Sequence, residues 1–497
     1  MHPSTKLECD LVAVEQTDEL TLLVELTAPT PTSTVVRQPA TLQVVLDRSG
    51  SMGGGRLDGA KTALIALVDR LDPTDNFGLV AFDNTVQIVV PAGPLTNKTA
   101  VKQAIAAVDA GGNTDLSSGY LRALQEARRV AGPTGATVLL VSDGHANAGI
   151  TDPDQLGKVA VEAQTHRVTT STLGFGLGYD ELLLGALARD GAGDELFAEE
   201  ADTAVALISG EVEGLLTQVA QAASLRLTWT PHVAGIEVLN DLPVVGLPDG
   251  AMLELGSFYA GETRRLLIKL HVPGIPALGL TQVATLEFVH VALPDLVQHT
   301  TTLPIQVNVV PGDQAAGRVP DAEVRSEALF QQTQRQKKEA SRMMSAGDAR
   351  GAASMLRDSS LQLTVDAETL PAPMRAELQG EASVLSALAD EALHDSARAS
   401  KASSMSATVG SRTRGRRTRG GQIVLLDELN GRTLEFEEWE IQQLLRPLPN
   451  ELRLALRPSA TRRDGQTAAA IAGVLGQEHP AFAFFTEATD GFAVERA

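Results

Sequence analysis

Between about residues 41 and 222, short apolar runs alternate with amphipathic helical patterns, and this alternation constrains the fold more than any other feature of the chain. The run Thr41-Leu42-Gln43-Val44-Val45-Leu46 reads as a strand, and Leu57, Ala60, Leu64, Leu67, Val68 and Leu71 then recur at helical spacing from Arg56 to Leu71. Phe77 to Phe82 and Val86 to Val90 predict two short strands around the turn Asp83-Asn84, followed by helices near Thr99 to Val108 and Ser117 to Val130. Thr137 to Val141 is a strand, and Pro153 to Thr165 a helix with Asp152 before it and proline in its first turn. Val168 to Phe175, Glu181 to Ala188 and Glu195 to Ala198 continue the strand–helix–strand order, and a long helix is expected from about Thr203 to Ala222. Alternation of this kind predicts a doubly wound α/β domain with a largely parallel sheet.

Three segments of that domain carry oxygen-bearing side chains at strand ends or helix starts. Asp47-Arg48-Ser49-Gly50-Ser51-Met52 follows the first strand and sets one carboxylate and two hydroxyls on a turn. Gly111-Gly112-Asn113-Thr114-Asp115-Leu116 brings a hydroxyl to the start of a helix, and Val138-Leu139-Leu140-Val141-Ser142-Asp143-Gly144 is a second apolar strand that ends in a carboxylate. In an open parallel sheet such loops meet in the crevice at the carboxyl edge, where ligands collect. Hard oxygen donors there suit a small hard cation such as Mg²⁺. The plain alternative is three Ser/Thr/Asp turns that cap helices. It would win for any one segment alone, but all three, in this order and after these strands, favour a shared site.

These segments resemble the von Willebrand factor A family, whose metal ion-dependent adhesion site uses D-x-S-x-S, a loop threonine and a later strand-end aspartate. The resemblance covers the whole 41–222 span and implies Asp47, Ser49, Ser51, Thr114 and Asp143 as ligands. Asp115 and His145 are second-shell candidates: Asp115 could hold a metal-bound water or cap the next helix, and His145 could line the rim or be a solvated loop residue. The metal implied is Mg²⁺, with Mn²⁺ or Ca²⁺ as substitutes. Three neutral hydroxyls and two carboxylates leave such an ion poorly neutralised, so an open coordination position would attract an Asp or Glu carboxylate from a protein partner.

Composition sets the outer bounds. The 497 residues suggest two to four domains. Apolar residues at 43% can build a sizeable core, which at 3% aromatics must rest mainly on Val, Leu, Ile and Ala. A net charge of −21 disfavours broad nucleic-acid binding. The single Cys9 excludes an internal disulfide and fits a reducing compartment. The first eight residues have no signal-like apolar core, and no window offers the apolar run of about 20 residues that a membrane helix needs. A cytoplasmic location is expected.

The flanks change character. Leu225 to Trp229, Met252 to Phe258, Arg265 to Val272, Gln282 to Val291 and Thr301 to Val309 predict a β-sandwich over 223–312. Residues 1–40 hold strand-like runs, Lys6 to Val14 and Leu20 to Leu26, too few to stand alone, so they are expected to pair with the sandwich and leave the α/β domain inserted in it or flanked by it. Some bacterial intracellular A-domain proteins look like this. Residues 319–397 read as helical: Ala322 to Met344, Ala349 to Leu361 and Arg375 to Leu393. The first two are faintly like one tetratricopeptide unit, and one unit makes no repeat array.

The stretch 398–421, with Arg412, Arg414, Arg416, Arg417 and Arg419, is expected to be a basic disordered linker; without aromatic residues to stack on bases it is not read as a nucleic-acid arm. A small α+β domain is expected over 422–497, with a hairpin around Asn430-Gly431, helices at Trp439 to Leu445 and Ala468 to Leu475, and Phe482, Phe484 and Phe485 in its core.

No H-E-x-x-H, C-x-x-C, G-x-S-x-G or P-loop occurs, so catalysis is not indicated. The expected function is a metal-dependent protein–protein interaction module, an adaptor or assembly subunit. The alternative is a regulatory subunit of an AAA+ ATPase or chelatase-like complex, because intracellular A-domain proteins of such machines are similar in the metal-site segment.

Overall fold

The computed structural model describes residues 1–30, 38–199, 201–412, 423–427, 432–436, 465–475, 485–486 and 493–496. Contacts divide it into two compact units: Met1–Val205 with Gly214–Arg416, and Ala206–Glu213 with Arg417–Ala497.

The first unit opens with β1 (His2–Leu7), β2 (Leu11–Ala13) and β3 (Asp18–Thr27). The α/β domain follows: β4 (Thr41–Asp47), α1 (Arg56–Arg70), β5 (Asn76–Phe82), β6 (Val86–Pro94), α2 (Lys98–Ala106), α3 (Leu116–Val130), β7 (Ala136–Ser142), α4 (Pro153–Thr165), β8 (Val168–Phe175), α5 (Glu181–Asp190), β9 (Ala192–Ala198) and α6 (Ala201–Leu216), of which Ala206–Glu213 counts with the second unit. Its sheet runs in the order β6-β5-β4-β7-β8-β9, parallel except for the β5–β6 hairpin. Every residue of β4 and of β7 is buried, as expected for central strands covered by helices on both faces. Leu46 of β4 lies beside Val141 of β7, so both strands end at the same level. The chain leaves β4 toward β5 on one side and β7 lies on the other, which opens a crevice there.

The sandwich adds β10 (Gln218–Trp229), β11 (Gly235–Val238), β12 (Val244–Leu247), β13 (Gly250–Tyr259), β14 (Thr263–Val272), β15 (Gly279–Ala292) and β16 (Val297–Val310). One sheet runs β1-β3-β14-β11, the other β12-β13-β10-β15-β16-β2. The leading segment thus supplies strands to both, with β3 antiparallel to β14 and β2 parallel to β16. Alternate residues of the two sheets, among them Leu22, Leu225, Leu253, Ile268 and Phe288, meet in one apolar core. The long helix expected to Ala222 stops at Leu216. Gln218 to Ala222 instead pair with β13 and β15 through irregular register, because strand pairing across the sandwich overrides the helical preference of a short alanine-rich run.

After the short α7 (Gly312–Ala315) come four helices, α8 (Ala322–Ser345), α9 (Ala349–Ala367), α10 (Ala372–His394) and α11 (Ser396–Arg412). The last one corrects the expected linker: residues 398–412 are helical, and the remaining 413–421 lie outside the described residues. Beside the buried Ala399 and Ala407, α11 buries Ser400, Lys401, Ser403, Ser404, Thr408 and Ser411. Those groups meet carboxylates. Glu195 on β9 accepts from Ser404 at 2.8 Å, Thr408 at 2.8 Å and Lys338 at 3.1 Å, while Glu181 on α5 accepts from Ser400 at 2.7 Å and pairs with Lys401. Ala399 and Ala402 of α11 pack into the helical core, while its polar side meets Glu195 of β9, the last strand of the sheet.

In the second unit, β17 (Ile423–Asp427) pairs antiparallel with β18 (Arg432–Phe436) and with β19 (Ala493–Arg496), and α12 (Gly465–Leu475) buries Ala468, Ile471 and Ala472. Phe485 is buried as expected. The expected turn at Asn430-Gly431, the helix at Trp439 to Leu445, and Phe482 and Phe484 lie outside the described residues. Among the described residues, no helix is long and apolar enough to cross a membrane.

Candidate functional site

Asp47 is the last residue of β4 and is fully buried. Its carboxylate accepts from the Ser49 backbone N–H at 2.8 Å and from the Ser142 hydroxyl at 2.6 Å. Among the described residues no basic side chain pairs with it, and burial pushes its carboxyl above the ordinary aspartate range despite those hydrogen bonds. The chain then turns through Gly50–Met52, and the Ser49 and Ser51 hydroxyls lie 3.0 Å apart. Ser51 Oγ donates to Asp143 Oδ1 at 2.8 Å, which joins the loop after β4 to the loop after β7.

The third segment is tied in by backbone. Gly50 N–H donates to the Gly112 carbonyl at 3.1 Å, and Gly111 N–H to the Arg48 carbonyl at 2.8 Å. Thr114 is buried, and its backbone exchanges hydrogen bonds with Asn147: its N–H donates to Asn147 Oδ1 at 3.0 Å, and Asn147 N–H donates to its carbonyl at 3.1 Å. A Cβ placed on Gly144 would lie 3.3 Å from Ser51 Oγ and 3.8 Å from Thr114 Oγ1. Both hydroxyls therefore border the small space that the missing side chain leaves open. The five residues Asp47, Ser49, Ser51, Thr114 and Asp143 are brought together from three loops.

Asp115 and His145 take the simpler of the two roles open to each. Asp115 caps α3: it accepts from Ser118 N–H at 3.1 Å, Ser118 Oγ at 2.7 Å and Ser117 Oγ at 2.8 Å. Burial would raise its carboxyl, but those donors outweigh it and the net direction is down. His145 is exposed on the rim, with Nδ1 3.4 Å from Asp180 Oδ2. Three residues not expected at the site also shape it. Ser142 holds Asp47. Asp83, read as a turn residue, is buried 3.3 Å from the Arg48 guanidinium. Arg56 reaches Asp143 Oδ2 at 2.8 Å. Serine at the last position of an apolar strand was a usable signal for the first; nothing local marked the arginine.

The donor set is two carboxylates and three hydroxyls, all oxygen. Among the described residues, no group of three or more His, Cys, Asp or Glu side chains forms a metal cluster. The buried, unpaired Asp47 carboxylate and the open space at Gly144 fit a hard divalent cation of the Mg²⁺ class.

Residues 42–210 match the von Willebrand factor type A domain family. It is 28% identical over 334 residues to the uncharacterized protein sll0103 of Synechocystis sp., across 65% of this chain and 78% of that one. It is likewise 28% identical over 193 residues to the uncharacterized protein YfbK of Escherichia coli, across 38% of this chain and 34% of that protein. The solved structure of the ArnB paralog VWA2 from Sulfolobus acidocaldarius shares the fold, with a TM-score of 0.59 at 16% identity over 83% of this chain and 98% of that one.

Proposed function

We propose that this chain is a metal-dependent protein-recognition subunit, in which Asp47, Ser49, Ser51, Thr114 and Asp143 hold a divalent cation and a partner's Asp or Glu completes its coordination. The observation that carries this reading is the Ser51–Asp143 hydrogen bond beside the buried, unpaired Asp47, which supports a preformed oxygen cluster at the carboxyl edge of the sheet. Ser49 and Ser51 offer neutral oxygens, so the protein's ligands add no negative charge beyond the two carboxylates that balance the ion, and a further anionic oxygen can still be drawn to it. Mg²⁺ or a similar hard ion, when bound, supplies an electrophilic position for an anionic oxygen. Ser142 fixes the Asp47 carboxylate, and the Asn147 hydrogen bonds fix the Thr114 loop. The rim at Gly53–Gly55, Gly112 and His145 is exposed, so a partner side chain can approach.

Calorimetry with MgCl₂ and MnCl₂, paired with affinity capture in Mg²⁺ and in EDTA, tests the proposal. Saturable metal uptake with partners released by EDTA is the expected result. No metal uptake by the intact chain would defeat it. Capture of an AAA+ ATPase in the Mg²⁺ arm would narrow the partner to the regulatory-subunit alternative.

A further inference from the structure

We infer that Arg56 is the site's built-in counter-cation, which neutralises Asp143 when no divalent ion is bound and holds down the site's affinity for one. The inference rests on the metal-site reading above and concerns a residue outside the implied ligand set.

Arg56 is the first residue of α1. The preceding Gly54 and Gly55 adopt φ of +73° and +100°, a left-handed path that folds the chain back over the site and that side chains other than glycine rarely take. From there the guanidinium returns across its own loop. One nitrogen, Nη1, donates both to Asp143 Oδ2 at 2.8 Å and to the Ser51 carbonyl at 3.0 Å. A Cβ on Gly176 would stand 3.1 Å from Nε, so the group is seated between the loops that follow β4, β7 and β8. The arginine side chain is 43% exposed, while the carboxylate it pairs with is fully buried.

The two buried carboxylates of the site are therefore unequal. Asp143 has a cation of its own, and among the described residues Asp47 has only neutral donors. A divalent ion drawn to the cluster meets a positive charge already at ion-pair range of one of its carboxylates. Like charges at that separation repel even when solvent on the outer face screens part of the effect. Without metal, the same charge keeps a buried carboxylate from standing alone. Arg56 thus supports the empty site and opposes the filled one.

The test uses the full chain as wild type, R56Q and R56K, with calorimetric Mn²⁺ titrations and thermal melts in EDTA and in Mn²⁺. R56Q is expected to bind about tenfold more tightly, to melt lower than wild type in EDTA, and to recover most of that difference in Mn²⁺. R56K, which keeps the charge without the planar fork, is expected to bind within about twofold of wild type. Binding by R56Q but not by wild type would also support the inference. If wild type binds and R56Q binds equally or more weakly, Arg56 only positions Asp143, and the inference is overturned while the metal-site reading stands. If R56Q melts below the assay temperature, R56K decides: a tenfold change in its affinity would show that fork geometry rather than charge is at work. Failure of every variant to bind Mn²⁺ removes the site itself, and the inference with it.

Discussion

Ser51 and Asp143, 92 positions apart, are joined by a 2.8 Å hydrogen bond that pins the turn after β4 to the end of β7. The Ser49 hydroxyl lies 3.0 Å from the Ser51 hydroxyl, so the two extend one chain of oxygens toward that carboxylate. S49A combined with S51A should abolish Mg²⁺-dependent binding and lower stability by only about 1–2 kcal/mol, since each lost hydrogen bond is worth about 1 kcal/mol. Calorimetry and a thermal melt read the two quantities separately. Gross unfolding of the double variant would make these serines structural.

Asp47 has the opposite balance. Burial raises its carboxyl in the folded state above the ordinary value of 3.8. A raised carboxyl stabilises the fold most at low pH, and that contribution is lost as pH rises through the folded value. At neutral pH the ionised group is a cost that a bound cation would offset. D47N should therefore melt at or above wild type in EDTA at pH 7, and show no upward shift when Mg²⁺ is added. A normal Mg²⁺ shift in D47N would remove Asp47 from the ligand set.

The contact between α11 and the α/β domain is expected to depend on charge. Glu181 is buried, which by itself raises its carboxyl, but hydrogen bonds from Lys401, Ser345 and Ser400 with the Lys401 charge bring the net shift below 4.5. A lowered carboxyl contributes stability above its unfolded value and loses it as pH falls through the folded one. Hydrogen exchange should show α11 amides protected at pH 7 and progressively exposed below about pH 4. K401A, which leaves Glu181 buried without its cation, should cost about 3 kcal/mol. Unchanged α11 protection in K401A would refute this account.

Gly119 on α3 faces Phe82 of β5, and an added Cβ would lie 2.5 Å from the ring's Cγ. Alanine ordinarily favours a helix over glycine by about 1 kcal/mol, yet here the strand cannot retreat. G119A should destabilise by about 2 kcal/mol through overpacking, as measured by urea unfolding. A gain in stability would mean that the helix–sheet spacing relaxes freely.

Much of the α/β domain was legible from the chain because its central strands are buried on both faces, so β4 and β7 appear as unbroken apolar runs. The limits of α4 and β8 agree residue for residue with the expected Pro153 to Thr165 and Val168 to Phe175, since a capping aspartate and a change of period mark them locally. The short strands β11 and β12 were not anticipated; each is four residues long, too few for alternation to register. Residues 398–412 are helical rather than a linker, because a run of Ser, Lys, Arg and Thr with only small apolar residues among them looks like solvent-facing chain.

What the sequence determined by itself was whatever rests on neighbours along the chain: the alternating strands and helices, the caps, and the D-x-S-x-S turn of Asp47, Ser49 and Ser51. Tertiary structure alone decided which distant groups would face those elements. Arg56 closes on Asp143, Ser142 turns toward Asp47, and the polar side of α11 finds Glu181 and Glu195. The physical reason is that burial of an apolar side chain is non-directional and leaves a periodic trace in sequence. A buried charge needs one particular partner at hydrogen-bond distance, and the composition of a segment does not say where that partner lies.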